Sequence, residues 1–569
     1  MAFDGLVING VVKELENTIL NSRIEKIYQP TSDEILFKLY GNSNKYNLQV
    51  VISSDNYRLN LTKYTKSNPS IAPNFCMVLR KYLASARIRK IYTTGLERIV
   101  FIDLDSMSEE GNLEKYTLII ELMGKHSNVI LVNSNNVIIN SLKHFKKDEH
   151  SYRNILPSYT YESISSDKYD ITLKNDFDYF YNNLSLNDEA TLDKFITNNI
   201  AGISNTFANY SIEKLNISKD ISQENIRVLY DYILDLSENI KDAVCIDTGN
   251  DYTIEQSSSK SNLQINNFID EFYNLKESNE NFISYRNNLL KLIFSKLKKL
   301  ESKLFNINKK LIECNNMETY KLYGELIVNN LYKIDKTHLD NITLNNYYTN
   351  EEITIPLDKS LTPYDNAQKY FKKYNKLKNA MSIVKDQEDE LQQQITYLES
   401  IVYELENAST SNDIDDIYDE ISNNVLIKNI NIKKEKNVNV KQKRIDSRVH
   451  KFTKDQFIRF KVDEFDVFVG KNNVQNDYLT LKFASDNDLW FHTKDIHGSH
   501  VILRIQDKQP SQEIINKVAS IAAKYSKAKL SSNVPVDYTY VKYVKKPNKA
   551  KPGMVIYTHE QTVNVQPEK

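Results

Sequence analysis

Residues 290–311 read LKLIFSKLKKLESKLFNINKKL, and the spacing of their apolar residues decides the architecture of the middle of the chain. The apolar positions alternate at spacings of three and four residues: Leu290, Ile293, Leu297, Leu300, Leu304, Ile307 and Leu311. This is the heptad seam of a helix that packs along another helix. A second seam runs from Tyr370 to Leu405, with one polar break at Glu388. We predict that the two seams pair as an antiparallel coiled-coil arm. The alternative is that each seam packs on a separate globular core.

The predicted arm occupies residues 269–435, with its two helices at about 284–312 and 366–408. The segments between them, YKLYGELIVNNLYKI and IPLDKSLTPYDNAQKYF, are too apolar for a flexible loop, so we expect a small folded tip. Residues 408–447 are first acidic and then basic. That composition is typical of a linker to the last domain.

Short alternating apolar runs on both sides of the arm predict strands. In residues 1–170 these runs are Ile35–Leu39, Leu48–Ile52, Ile99–Leu104, Tyr116–Leu122 and Val129–Val132, with amphipathic helices over 4–20 and 72–85. In residues 445–569 the runs are DVFVG, YLTLKFA, LWFH, SHVIL, YTYVKYV, MVIYT and TVNVQ, with one helix capped by Ser511. The fold class is therefore a multidomain α+β protein with a long helical arm.

Residues 171–268 are acidic and mostly helical, and they contain a glycine hairpin, Ala201-Gly202-Ile203-Ser204-Asn205. A glycine between two short helices is typical of a helix-hairpin-helix, which binds phosphate through N–H groups at a helix start. The acidic surroundings favour a plain helical connector equally well.

Charge is unevenly distributed in a chain whose net charge is only −1. Residues 171–280 hold 8 Lys and Arg against 19 Asp and Glu, whereas residues 441–569 hold 23 against 14. Such asymmetry indicates a basic end that binds a polyanion, although positive charge can also serve solubility alone. The N-terminus has no signal-peptide pattern and no apolar run is long enough to span a membrane, so we expect a cytoplasmic protein.

The usual catalytic and metal motifs are absent. The sequence has no GxxxxGK[ST], GxSxG or HExxH motif and no GxGxxG after a strand. Its three cysteines are too dispersed for a disulfide framework or a zinc knuckle. We therefore expect no catalytic residue, no cofactor and no metal.

The densest polar cluster is DLWFHTKDIHGSH, residues 488–500. Its three histidines and Asp495 could bind zinc, but the spacing is not a familiar one. Binding of RNA suits the cluster better: Trp490, His492 and His500 can stack on bases, while Lys494 and the Ser499 amide can meet phosphate. The alternative is that the aromatic residues belong to the core, and the two readings combine if aromatic residues point inward and His and Lys outward.

Two further sets of residues suit contact with phosphate. Lysines crowd residues 517–551; Lys517, Lys524 and Lys527 are expected on one helix face, and Lys545 and Lys546 in a basic loop. In the first domain, Glu97-Arg98 precedes a strand, and Lys125-His126 lies in a polar turn after another. A solvated surface and an ordinary turn ion pair are the structural alternatives.

Several long motifs resemble one family, the NFACT proteins. They are MAFDGLVINGVVKEL, NFCMVLRKYL, GLERIVF, ELMGKHSNVILVN, LTPYDNAQKYFKKYNKLK, GKNNVQNDYLTLKFASDNDLWFHTKDIHGSH and VDYTYVKYVKKPNKAKPGMVIYT. The resemblance covers nearly the whole chain in the same order. It implies an NFACT-N domain similar to the formamidopyrimidine-DNA glycosylase N-terminal domain, a helix-hairpin-helix region, the arm, and an NFACT-R RNA-binding domain.

The resemblance also implies a function in ribosome quality control. Such proteins bind large (50S) ribosomal subunits that carry peptidyl-tRNA, contact rRNA, recruit alanyl-tRNA and support untemplated alanine tailing. The ribosome makes the bonds, so the factor needs no catalytic residues, and a small S4-type RNA-binding protein is an expected partner. The alternatives are a surface adhesin that binds fibronectin and an RNA-binding scaffold without tailing.

The chain departs from the family pattern at two places. The family uses an Asp-Arg pair in tRNA binding, and the matching residues here are Glu97 and Arg98; Lys125 and His126 are further tRNA-binding candidates. His497 stands where the NFACT-R motif usually has proline. Glycosylase activity is not expected, because the nucleophilic N-terminal proline of those enzymes is replaced by Ala2 and Phe3.

Overall fold

The computed structural model divides the chain into two compact units. The first holds the described residues up to Asn279, and the second holds those from Glu280 onward. The structure describes residues 3–108, 110–147, 153–164, 167–173, 176–182, 191–249, 251–257, 264–334, 339–423, 457–506, 508–548 and 550–568.

A nine-stranded antiparallel sheet forms the centre of the first unit. Its strands are β1 (Arg23–Thr31), β2 (Glu34–Gly41), β3 (Asn44–Val51), β4 (Arg58–Leu61), β5 (Arg87–Thr93), β6 (Ile99–Met107), β7 (Leu113–Glu121), β8 (Asn128–Asn133) and β9 (Ile138–Ser141). Their order is β4-β3-β2-β1-β5-β6-β7-β8-β9, so only the β1–β5 pair joins strands that are distant in sequence. The five strands predicted for this domain are confirmed as β2, β3, β6, β7 and β8.

Two helices cover the sheet, close to where the sequence predicts them. They are α1 (Gly5–Ile19) and α2 (Asn74–Leu83). The first is capped by Asp4, whose carboxylate accepts from the Val7 N–H at 3.1 Å. Both helices bury one apolar face in the main core of the unit, as their periodicity requires.

The described residues of the acidic region form four α-helices and a β-hairpin. These are α3 (Phe177–Asn182), α4 (Leu192–Asn199), α5 (Asn205–Lys214), α6 (Gln223–Glu238), β10 (Ala243–Asp247) and β11 (Tyr252–Gln256). The glycine hairpin connects α4 to α5, with Gly202 at φ +70°. Its aromatic and aliphatic side chains join the core beneath the sheet, so this region is part of the first unit.

The long helix α7 (Gln264–Asn315) starts well before the predicted residue 284. Glu14 of α1 accepts from the Ile265 and Asn266 N–H groups at 2.9 and 2.8 Å, which satisfies two donors at the start of α7. Ile265 and Ile269 are buried in the core of the first unit. The early part of the helix is therefore held by the sheet domain, a role that the heptad pattern does not reveal.

The second unit contains the arm and its tip. After α7 come α8 (Met317–Asn329), the hairpin β12 (Asn341–Asn346) and β13 (Glu351–Pro356), α9 (Pro363–Asn407) and α10 (Ser411–Asn423). Leu289–Leu300 of α7 and Ile395–Leu405 of α9 share one buried cluster. Leu326 of α8 packs instead near Ala367, at the other end of α9, so α7 and α9 run in opposite directions. Supercoiling of the pair stays a prediction.

The predicted linker after residue 408 is wrong over its first part. Residues 411–423 form α10, whose Ile414, Ile417 and Ile421 are buried in the cluster shared by α7 and α9. The acidic residues lie between these isoleucines in sequence, which hides a helical spacing of three and four. No helix within the described ranges combines the length and apolarity needed to cross a membrane.

A six-stranded antiparallel sheet forms the C-terminal domain, with the order β14-β15-β17-β16-β18-β21. Its strands are β14 (Ile458–Val462), β15 (Phe465–Val469), β16 (Leu489–Thr493), β17 (Val501–Leu503), β18 (Val534–Tyr540) and β21 (Gln561–Val565), and β19 (Val544–Lys545) pairs separately with β20 (Ile556–Tyr557). α12 (Gln512–Lys524) packs on one face and begins at Ser511, as predicted.

The strand predicted at YLTLKFA is wrong. Asn472 caps α11 (Asn473–Tyr478) by accepting from the Gln475 N–H at 2.8 Å, and a π-helical turn continues over residues 479–483. Leu479 and Phe483, four residues apart, pack in one cluster while Leu481 is partly exposed. The alternation of apolar residues is therefore accidental, and a side-chain cap overrides it.

Candidate nucleic-acid interface

The four candidate residues of the first unit lie at one end of two neighbouring strands, where β6 begins and β7 ends. Ile99 of β6 pairs with Glu121 of β7, and the Leu122 N–H donates to the Arg98 carbonyl at 2.9 Å. A short 3₁₀ turn, Gly124–His126, follows directly, with Gly124 at φ +60°. This register places Glu97 and Arg98 beside the turn that carries Lys125 and His126.

Exposure of these residues suits contact with a ligand. Glu97 and Arg98 are half-buried, whereas Lys125 and His126 are exposed. Arg98 Nη1 donates to the Tyr57 hydroxyl at 3.5 Å. A guanidinium has five N–H donors, so this contact orients Arg98 and leaves other donors for an anion. Burial raises the pKa of Tyr57, and the positive charge of Arg98 offsets part of that rise.

The loop before Arg98 is fixed by its own side-chain contacts. Gly95 adopts φ +57°, and the next residue, Leu96, donates its N–H to Asp170 Oδ2 at 2.7 Å. Asn9 donates from Nδ2 to the Gly95 carbonyl at 3.1 Å. A Cβ at Gly95 would lie 2.0 Å from Asp170 Oδ2, so a larger residue has no room. The position of Glu97 and Arg98 is thus set by half-buried partners.

The glycine hairpin also packs on this loop. Gly5 donates its N–H to the Gly202 carbonyl at 2.7 Å. A Cβ at either glycine would lie 2.1 Å from the Leu96 carbonyl oxygen. Three backbone segments therefore meet at a distance that only glycine allows. The hairpin supports the loop that carries Glu97 and Arg98.

Asp4 occupies the start of α5, where a phosphate was one expectation. Its Oδ2 accepts from the Ser204 N–H at 3.2 Å and from the Ser204 hydroxyl at 2.7 Å. Burial raises the pKa of Asp4 to about 6, although these hydrogen bonds lower it in part. Because the chain supplies its own carboxylate there, the geometry favours the structural connector over phosphate binding at this helix start.

In the second unit, four candidate residues line one cavity of about 480 Å³. They are Trp490, His492, Ser499 and His500. Trp490 is 0% exposed, stacks on the His492 ring and meets Tyr557 at a centroid distance of 4.8 Å. The expectation that Trp490 stacks on a base at the surface is wrong, because its ring belongs to the core that also holds Ile502.

The histidines of this cluster do not point outward as expected. His500 is 2% exposed and its Nδ1 lies 2.8 Å from the Thr480 hydroxyl oxygen, while His492 is half-buried. Burial lowers the pKa of His492 to about 4 and that of His500 to about 3, so both rings are neutral at pH 7. No group of three metal-binding side chains converges within the described part of the chain.

Lys494 and Ser499 differ in what they offer a phosphate. Lys494 is 46% exposed, with Nζ 3.8 Å from Asp537 Oδ1. The Ser499 N–H is already used, since it donates to the Tyr525 carbonyl at 2.9 Å. The expected contact between the Ser499 amide and phosphate is therefore wrong, whereas Lys494 stays a candidate.

Some lysines of the 517–551 cluster pair with carboxylates, whereas others are exposed. α12 ends at Lys524, so Lys527 lies beyond the helix and does not share its face as predicted. Lys524 Nζ lies 3.4 Å from Glu568, and Lys546 pairs with Asp477. Lys527 and Lys545 are exposed. Lys549, which belongs to the same 517–551 cluster, lies outside the described residues.

The cavity also uses residues that the sequence did not single out. Glu399, Glu404 and Tyr397 come from the end of α9, and Asn473 comes from α11. His497, which replaces the usual proline, places Nε2 3.3 Å from Glu399. Burial raises the pKa of Glu404, as does the charge of a neighbouring buried glutamate. The only signal in the sequence was the spacing of Tyr397, Ile401 and Glu404, which puts a second buried face on α9.

Both ends of the chain match one family. The profile for NFACT N-terminal and middle domains matches residues 4–442, and the profile for the NFACT protein RNA binding domain matches residues 449–559. The chain belongs to the NFACT family. The two candidate surfaces of this NFACT protein therefore lie one in each matched region.

Full-length relatives support the NFACT assignment. The chain is 34% identical to the Rqc2 homolog RqcH of Bacillus subtilis, over 100% of this chain and 98% of that protein. It is 31% identical to the Rqc2 homolog RqcH of Streptococcus pneumoniae, with the same coverage of both proteins. A solved structure, the N-terminal part of the fibronectin/fibrinogen-binding protein from Streptococcus suis, is 28% identical, covers 48% of this chain and 99% of that chain, and has a TM-score of 0.40.

Proposed function

We propose that this NFACT protein is a ribosome quality-control factor. It binds large (50S) subunits that carry peptidyl-tRNA, recruits alanyl-tRNA and directs untemplated C-terminal alanine tailing of the nascent chain. The observation that carries the proposal is the grouping of four polar residues where β6 begins and β7 ends: Glu97, Arg98, Lys125 and His126. Full-length similarity to proteins named Rqc2 homolog RqcH supports it.

The side chains of these four residues are suited to contact with a folded RNA. Arg98 can donate two parallel N–H groups to a phosphate or a base edge, and Lys125 adds a mobile positive charge. Glu97 replaces the aspartate of the family and adds one methylene, so its partner must sit slightly farther from the backbone. In the second unit, the +9 charge of residues 441–569 suits contact with rRNA.

The protein positions tRNA, and the peptidyl-transferase centre of the ribosome makes the peptide bonds. The protein then needs no catalytic residue and no cofactor of its own. We propose that it works in the cytoplasm, that its first unit has a glycosylase-like fold, and that a coiled-coil arm reaches along the subunit surface. A small S4-type RNA-binding protein is a proposed partner.

The test is a double variant, Glu97→Ala with Arg98→Ala, in the tagged full chain. We expect it to sediment with large subunits, to retain about tenfold less tRNA than the natural protein, and to leave stalled chains without tails. The measurements are sequencing of retained tRNA and mass spectrometry of nascent-chain ends. Unchanged alanine tails on stalled chains would contradict the role given to this pair.

The matched control is Glu114→Ala with Lys115→Ala, an adjacent acid–base pair exposed on β7 of the same sheet. It should keep both tRNA and tails. Fractionation with RNase treatment tests the alternatives: a fibronectin-binding adhesin would stay at the cell surface, and a scaffold without tailing would bind subunits but leave chain ends unmodified.

A further inference from the structure

The cavity in the second unit has the size and walls of a ligand site. Its volume of about 480 Å³ lies within the range of about 300–1,000 Å³ typical of small-molecule sites. Aromatic rings line it, among them Tyr403, Trp490, His497 and Tyr557. The walls come from α9, from the start of α11, and from β16 and the loops of the C-terminal domain.

Two buried polar atoms of its lining residues have no hydrogen-bond partner among the described residues. They are Nε1 of Trp490, a donor, and Oε2 of Glu404, whose residue is 7% exposed. A buried polar group without a partner is destabilising, so a group that satisfies both atoms would bind favourably. A ligand that reached both atoms would need both an acceptor and a donor.

Charge limits the chemistry of that ligand further. The lining carries three carboxyl groups, Glu399, Glu404 and Asp495, against one ammonium, Lys471. A phosphate is therefore unfavourable inside. An amine would satisfy Glu404 but would offer Trp490 no acceptor. A nucleobase is uncharged, stacks on aromatic rings, and presents donors and acceptors on one edge.

The cationic residue Lys527 lies next to the cavity, where a sugar-phosphate chain would continue. Burial lowers the pKa of His497, contact with Glu399 raises it in part, and the nearby Lys527 ammonium lowers it further. The Lys527 N–H donates to the His497 carbonyl at 2.9 Å, so Lys527 is held beside the cavity wall. A base inside and a phosphate outside would thus meet groups of suitable charge.

We propose that this cavity receives one unstacked RNA base that carries an exocyclic amino group, with Glu404 accepting from the amino group and Trp490 donating to a ring nitrogen or carbonyl. Adenine, cytosine and guanine have such a group, whereas uracil does not. The inference rests on the proposed function, because it makes the second unit a reader of single-stranded RNA. It adds a specific base site to a domain otherwise expected to contact phosphates.

The test uses the fluorescence of Trp490, which is the single tryptophan of the chain. The full chain is titrated with a hexanucleotide of adenosine, a hexanucleotide of uridine, and the four nucleoside monophosphates. We expect saturable quenching by the adenosine hexamer and binding at least about tenfold weaker for the uridine hexamer. Equal binding of both hexamers, or no saturable quenching by any probe, overturns the proposal.

The monophosphates distinguish RNA from free nucleotide. An RNA site binds the adenosine hexamer at least about tenfold more tightly than adenosine monophosphate at low salt, because flanking phosphates add contacts. Equal affinity would assign the cavity to a free nucleotide and would overturn the assignment to RNA.

Glu404→Leu removes the acceptor and keeps a side chain of similar length, and the matched control is Glu406→Leu, an exposed position on the same helix. We expect Glu404→Leu to weaken binding of the adenosine hexamer about tenfold or more and Glu406→Leu to leave it unchanged. Glu404→Gln keeps a carbonyl acceptor and should keep most of the affinity. Loss of binding in Glu404→Gln to the same extent as in Glu404→Leu, with melting temperatures unchanged, overturns the hydrogen bond.

If Glu404→Leu lowers the melting temperature, the decision rests on Glu404→Gln and on the two hexamers with the natural protein. Sedimentation with large subunits is measured on the same samples. Normal sedimentation and tailing without any selectivity for adenosine would reject the base site alone. Loss of tailing in the Glu97 and Arg98 variant is independent of this result.

Discussion

The two candidate sites use similar residue types but differ in exposure. Lys125 and His126 of the first are exposed, whereas Trp490 and His500 of the second are buried. In the first unit, Lys125 and His126 follow a completed strand and lie in a turn, so they are exposed. In the second unit, residues 488–500 run through β16 and the turn that leads to β17, and both Trp490 within β16 and His500 just before β17 are buried. In this protein, the polar, glycine-bearing motif is exposed where it forms a turn after a strand, and it is buried where it runs along a strand in the interior.

The first surface depends on close backbone contact, and Gly202→Ala is the strongest way to break it. We expect a loss of stability of about 2–5 kcal/mol, which combines a left-handed conformation at about 1–2 and overpacking at about 1–3 kcal/mol. The cause is the 2.1 Å approach of a new Cβ to the Leu96 carbonyl oxygen. Calorimetry would show a lower transition temperature, and retained tRNA would fall because the 95–98 loop shifts.

The control for this prediction is Gly111→Ala. Gly111 also has a positive φ, of +84°, but a Cβ there would meet no atom within 4 Å. It should cost only the conformational part, about 1–2 kcal/mol. A similar loss in both variants would mean that packing against Leu96 does not hold the loop.

How far the sequence predicts each region follows from the same local physics. The five predicted strands of the first sheet alternate regularly, whereas β1 and β5 contain a register shift that separates Ile24 from Ile27, and Ile88 from Ile91, by three residues. That spacing imitates a helix, so both strands were missed. The candidate residues around Arg98 could be proposed from the sequence because they stand in two short polar segments, 97–98 and 125–126.

The cavity could not be predicted in this way. Glu404 is separated from Trp490 by more than 80 residues in sequence, and an acidic residue inside a helical seam gives no sign that it is buried. Whether Trp490 points outward depends on which strand lies beside β16. That information is in the order of the sheet, and one sequence does not contain it.

The inward direction of the second motif predicts acid sensitivity. The folded pKa of His500, about 3, lies below its ordinary value of 6.5, so stability is full above pH 6.5 and falls as the pH drops towards 3. The unfolded chain gains the proton first. Between pH 7.5 and pH 5, we expect the free energy of unfolding of the natural protein to fall by about 2 kcal/mol more than that of His500→Gln. This difference follows from about 1.4 kcal/mol for each pH unit below 6.5. Thermal melts followed by Trp490 fluorescence measure this.

His559→Gln is the matched control, because His559 is exposed in the same domain. It should follow the natural protein at both pH values. If the His500→Gln melts moved with pH as much as those of the natural protein, His500 would not be held neutral by burial, and the inward half of the comparison would fail.

The smallest effect is expected from the lysines that stay outside the cavity. Lys527 is exposed, whereas Lys517 lies 3.4 Å from Asp463 and 3.2 Å from Glu513. A lysine that meets phosphate releases counterions, so Lys527→Ala should reduce the slope of log affinity against log salt by about 0.7–0.9. Lys517→Ala should change it less, since its charge is already partly neutralised.

Binding of single-stranded RNA between 50 and 200 mM salt is the measurement. Equal slopes for the two variants would mean that exposure does not decide which lysines bind RNA, and the outward surface would have to be sought around Lys494 and Lys545.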